Sequence, residues 1–157
     1  MKKLFTTRSM CLAAIIAALY AALTLSLPAL SYGAVQCRLS EALTMLPVLL
    51  PQAVPGLFVG CLVANLLSPV GALDVIFGSL ATLLAACGTY ALREKPLLAA
   101  ACPVLANGVI VGSVLAFSYH MPLWLTMLQV AAGEALAVAA GFALLHALRR
   151  ADLSRYL

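Results

Sequence analysis

One arginine, three carboxylates and two asparagines interrupt an otherwise apolar chain, and together they are equipped to read the polar edge of a small molecule. They are Arg38, Glu41, Asp74, Glu134, Asn65 and Asn107. Gln36 and Tyr119 add a further amide and a phenol. A carboxylate accepts N–H donors, a guanidinium donates to carbonyls, and an amide does either. Buried groups of this kind give specificity, because a ligand lacking one of the matching groups leaves its partner unpaired. Reaction chemistry is not indicated. The chain has no GxxxxGK[ST] phosphate loop, no HExxH and no GxSxG elbow, so neither ATP hydrolysis, zinc chemistry nor serine nucleophilicity has its usual sequence basis. Its two histidines, His120 and His146, are far apart, and its five cysteines are scattered without a CxxC pair. The expectation is a chain that is not an enzyme and holds no metal and no cofactor.

These polar groups are expensive where they stand. The chain has 157 residues, 65% of them hydrophobic and 9% charged, whereas a soluble domain carries about 25% charged residues. That composition is one of an integral membrane protein forming a single domain over 1–157. Glu134 follows Met121-Pro122 by about 12 residues, or roughly 18 Å of helix, which places a carboxylate near the bilayer middle at a cost of about 3 kcal/mol. Asn107, counted back from His120, lies at similar depth, so the two can meet. The others have plain structural readings as well. Ser40 with Glu41 suits a helix start, Asp74 suits the dipole of the following helix, and Arg38 with Glu41 forms a local ion pair. Tyr20, Tyr119 and Trp124 suit interfacial anchoring.

The elements that must position these residues follow from hydropathy and charge. Apolar stretches fall near residues 9–30, 39–67, 72–92, 97–118 and 122–148. Pro47, Pro51, Pro55 and Gly56 interrupt the second, giving either one kinked span or two short helices, roughly 39–50 and 54–67. Charge decides between them. With six spans, Lys2, Lys3, Arg8, Arg93, Lys95, Arg149, Arg150 and Arg155 share one face and only Arg38 lies opposite. With five, three basic residues lie inside and six outside. The positive-inside rule selects six, with both termini cytoplasmic. The predicted fold is therefore an all-α compact bundle of six transmembrane helices, with helices 2 and 3 short and proline-broken. The N-terminus reads as a retained first helix, since a signal cleavage after Ala34 would put bulky Tyr32 where a small residue is needed.

In this topology the polar groups gather in the outer half, with Asn107 and Glu134 as the floor. A channel needs polar groups along its whole length, whereas a pocket opening outward needs them on one side. A second feature is the run of alanines on helix 1, Ala13, Ala17, Ala21 and Ala14, Ala18, Ala22, spaced every four residues. Small residues so spaced let another helix approach closely. They serve either internal packing or a partner subunit. Gly56/Gly60/Ala64 and Gly108/Gly112 repeat the spacing and read as packing within the bundle.

Three stretches carry a resemblance. Gln36-Cys37-Arg38-Leu39-Ser40-Glu41-Ala42-Leu43, Pro55-Gly56-Leu57-Phe58-Val59-Gly60-Cys61-Leu62-Val63-Ala64-Asn65 and Leu73-Asp74-Val75-Ile76-Phe77-Gly78-Ser79-Leu80-Ala81-Thr82-Leu83 resemble the QueT family, with Asn107-Gly108 and Gly133-Glu134 extending the match. That family is similar to the substrate-binding S components of energy-coupling factor (ECF) transporters. The resemblance implies a multi-pass subunit of the bacterial plasma membrane that captures a queuosine precursor, a 7-cyano- or 7-aminomethyl-7-deazaguanine. It implies a transmembrane coupling subunit met by the helix 1 small-residue face, and two cytoplasmic ATPases that use the ATP. Within such a site Glu41 or Glu134 accepts the adjacent N–H donors of the base. Arg38, Asn65 or Asn107 donates to its carbonyl, and Asp74 or the second glutamate meets an aminomethyl cation. Phe58, Phe77 or Tyr119 supplies a wall for the ring. Two other classes stand beside this reading, an S component for another vitamin or base and a structural or regulatory subunit without a small ligand.

Overall fold

The computed structural model describes residues 6–32 and 37–150, all of whose regular structure is helical. Gln36, Lys2, Lys3 and Arg155 lie outside the described residues. Helix α1 spans Thr7–Ser26, opened by Thr6, whose hydroxyl accepts the Ser9 N–H at 3.3 Å. It stops where Leu27 precedes Pro28, because a residue before proline is driven away from helical geometry. Pro28 then starts a four-residue helix, α2, Pro28–Ser31.

The proline-rich second stretch is two elements. A 3-10 helix covers Leu39–Val48, and α3 covers Ala53–Asn65. Pro51 and the turn around it reverse the chain. Gln52 Nε2 reaches Ser9 Oγ at 3.3 Å at the start of α1, whereas Thr24, near the other end of α1, donates to Ser40 Oγ at 2.7 Å. Ten residues of 3-10 helix rise about 20 Å and thirteen of α-helix about 20 Å, each short of a hydrocarbon core of roughly 30 Å. Irregular backbone at membrane depth is tolerated where protein covers it. The 3-10 helix meets that condition, with Ser40, Glu41, Leu43, Thr44, Met45, Leu46, Pro47 and Val48 all buried.

A π turn at Asp74–Gly78 leads into α4, Ser79–Ala91, and α5 and α6 span Pro96–Tyr119 and Leu123–Arg150. With its π turn α4 is one of four helices among the described residues that are long and apolar enough to cross a membrane, the others being α1, α5 and α6. Pro103 sits inside α5 and cannot donate to the carbonyl of Ala99. Thr89 of α4 supplies the missing donor, its Oγ1 lying 3.2 Å from Ala99 O. The outer surface is apolar, with Leu97, Trp124, Phe117 and Leu136 all exposed, as suits lipid contact.

Small residues set the closest helix approaches. A Cβ on Gly56 would lie 2.7 Å from Ala13 O, and one on Gly60 2.7 Å from Ala17 O. The Ala13, Ala17 and Ala21 register is thus half-buried toward α3, while Ala14, Ala18 and Ala22 remain exposed. Gly108 and Gly112 meet Ala131 and Met127 of α6 in the same way. Gly141 of α6 lies so near Ala42 O that no side chain fits there, which holds the 3-10 helix, and with it Glu41, against α6.

Candidate substrate-binding site

Arg38 enters the bundle at the start of the 3-10 helix and is 5% exposed. Its Nε donates to Ser31 O at 3.2 Å, Nη1 to Asn65 Oδ1 at 3.1 Å and Nη2 to Asp74 Oδ2 at 3.0 Å. The Tyr32 ring covers the guanidinium with its centroid at 5.4 Å, and Tyr32 is itself fixed by donating to Ala64 O at 2.7 Å. Burial works against the charge on Arg38. The Asp74 carboxylate works for it, and the balance holds the group above its ordinary value and permanently protonated. The ion pair therefore runs from Arg38 to Asp74 and not to Glu41, which corrects the local Arg38–Glu41 pair that sequence proximity suggested. Asp74 likewise acts as the partner of a buried cation, where position alone suggested a helix-dipole residue. Ser40 accepts from Thr24, and no side chain caps the 3-10 helix.

The platform beneath Arg38 is built from three elements. Asn65 at the end of α3 donates through Nδ2 to Asp74 O at 3.0 Å, and the same nitrogen lies 3.3 Å from Cys61 Sγ. Thr82 of α4 also donates to Cys61 Sγ, at 3.2 Å. The π turn brings Gly78 under this cluster, where a Cβ would lie 2.6 Å from Asp74 Oδ1 and 2.8 Å from Asn65 Nδ2. π turns often mark functional positions because they open the backbone and re-aim side chains.

Deeper in the bundle, Arg38, Glu41, Asn107 and Glu134 converge on one small cavity whose apolar walls are Val111 and Val130. The side chain of Tyr20 donates to Glu41 Oε1. Asn107 lies between the two glutamates, near enough to interact with both. Glu41 Oε2, Asn107 Oδ1 and Glu134 Oε1 are buried with no hydrogen-bond partner. The free volume among these groups is about 10 Å³, the room of a single water. Roomier hollows lie elsewhere, including an apolar groove of about 320 Å³ along Ala13, Ala17 and Gly56 and a more polar one of about 320 Å³ beside Thr6, Arg8 and Ser9.

Of the residues singled out by sequence, the fold brings Arg38, Glu41, Asn65, Asp74, Asn107 and Glu134 into one continuous network. Tyr119 stands apart, 44% exposed at the end of α5, and Phe77 is also 44% exposed in an outward groove with Val109 and Phe117. Sequence reasoning missed Tyr20, Tyr32, Cys61 and Thr82. Tyr20 suited an interfacial anchor, yet it is fully buried. A lone phenol between Leu19 and Ala21 in an apolar spanning helix was the available signal, since a buried hydroxyl needs a partner.

An apolar helical bundle with a buried cluster of polar groups is the build of a multi-pass membrane protein. The chain belongs to the QueT transporter family, whose family model matches residues 10–150. That is a family of transporters and not of enzymes. It is similar to the queuosine precursor transporter QueT of Lactococcus lactis subsp. cremoris (strain MG1363), with 42% identity over 72 residues. The aligned part is 45% of this chain and 42% of that protein, so the match spans about two-fifths of the relative's length. No solved structure matches the chain.

Proposed function

We propose that this chain is the substrate-binding subunit of an ECF-type importer in the bacterial plasma membrane, and that it captures a 7-deazaguanine queuosine precursor on the outer face. The observation that carries the reading is the convergence of three unpartnered buried oxygens, Glu41 Oε2, Asn107 Oδ1 and Glu134 Oε1, beside the Arg38 guanidinium. Orphan acceptors in a dry site favour a ligand that brings several N–H donors. A guanine-like edge brings adjacent ring and amino N–H groups for one carboxylate. The carbonyl next to them suits Arg38, which keeps N–H groups beyond the three that its protein partners engage. An aminomethyl group would meet the second glutamate. Family membership and the name of the lactococcal relative support the same ligand class.

Energy must come from partners, because the chain has no phosphate-binding loop. In this reading a transmembrane coupling subunit docks on the exposed Ala14, Ala18 and Ala22 face of α1, which allows close helix approach, and two cytoplasmic ATPases hydrolyse the ATP. The test is calorimetry on the purified chain with 7-cyano- and 7-aminomethyl-7-deazaguanine. At least one binds, and Glu41→Gln weakens it about tenfold or more, equal to ~1.4 kcal/mol. Wild-type affinity in both Glu41→Gln and Glu134→Gln would move the site elsewhere.

A further inference from the structure

Glu41 offers the cavity one oxygen instead of two, and the cause lies on α1. Tyr20 is completely buried, and its hydroxyl occupies Glu41 Oε1. Glu41 Oε2 is left without a partner on the cavity side. The tyrosine itself has little freedom. Its Cβ packs against Gly60, where an added methyl would come within 2.8 Å. One turn further on, Thr24 donates to Ser40 Oγ, fixing the residue next to Glu41. Thr44 Oγ1 bonds to Glu41 O at 2.5 Å from the other side. Thr24 and Thr44 thus fix the backbone around Glu41, and the hydrogen bond that grips the carboxylate itself comes from the phenol.

We propose that Tyr20 is a positioning residue for substrate recognition, occupying one glutamate oxygen so that the other faces the ligand in a single orientation. This rests on the binding role of Glu41 in the function proposed above. A carboxylate with both oxygens free would rotate, and would accept ligand donors in several arrangements with weaker selection among them.

The experiment has a ligand-free arm and a ligand arm, both on the purified full chain. Infrared difference spectra identify the carboxyl band that vanishes in Glu41→Gln. In Tyr20→Phe, which keeps the packed ring, that band shifts. In the ligand arm, Tyr20→Phe weakens 7-aminomethyl-7-deazaguanine about fivefold to tenfold in the otherwise natural chain, the size of one lost buried hydrogen bond. On a Glu41→Gln background the same change weakens it less than about twofold, as expected when one residue acts through another. An unmoved band, or an equal loss on both backgrounds, overturns the proposal. If the natural chain fails to bind the base while the band still shifts, the substrate reading falls and takes the recognition role with it, leaving only the Tyr20–Glu41 hydrogen bond.

Discussion

The two halves of the polar network are finished to different degrees. Around Arg38, donors meet acceptors from α2, α3 and the π turn, with Cys61 and Thr82 behind them, while Asp74 Oδ1 and Ser31 Oγ stay unpartnered. Around Glu134, three buried oxygens have no partner and the space is about one water wide. A buried charge whose donors are met stabilises one arrangement of the chain, whereas acceptors left open around a cavity cost free energy until something fills it. The difference separates a structural platform from a surface that reads a ligand, although both are made of the same residue types.

That division is broken most forcefully at the platform. Arg38→Ala leaves Asp74 buried and uncompensated, so the chain should lose about 3–5 kcal/mol of stability, seen as a large drop in the thermal midpoint in detergent. A midpoint close to wild type would mean that the platform is not structural. Gly78→Ala comes next. The new methyl meets Asp74 and Asn65, and overpacking of this kind costs about 1–3 kcal/mol. Its loss should be smaller on an Asp74→Ala background, where Asn65 Nδ2 alone still obstructs the methyl. Thr89→Val tests a polar contact outside both halves. Removing the donor to Ala99 O should cost about 1 kcal/mol with no change in ligand affinity. The smallest effect belongs to Tyr119→Ala, which should alter binding by less than about twofold, as for surface substitutions in general. A larger loss would place the ring wall at the end of α5 after all.

Much of this architecture was legible from residue order. Prolines at 47, 51 and 55 and the basic residues together called for two short elements, expected near 39–50 and 54–67 and found at Leu39–Val48 and Ala53–Asn65. Counting forward from Pro122 and back from His120 put Glu134 and Asn107 at one depth, and the fold sets them side by side. The partners of each charge were not legible. Arg38 stands three residues from Glu41 but 36 from Asp74, and the chain fold chooses the distant acid. Tyr20, Cys61 and Thr82 lie in apolar helices with no periodic polar face, so only the packing of α1, α3 and α4 shows where their polar atoms go. The alanine pattern of α1 was ambiguous for a related reason. Two registers share one helix, and Gly56 and Gly60 take one of them.

The most direct test of the division between platform and reader is a calorimetric titration of Glu134→Gln with 7-aminomethyl-7-deazaguanine, run beside its thermal midpoint. The account predicts affinity lower by about tenfold or more with a midpoint equal to or above that of the natural chain, since the amide brings N–H donors to a cavity whose Glu41 and Asn107 oxygens lack them. Unchanged affinity with a lowered midpoint would contradict it, and would make Glu134 part of the scaffold.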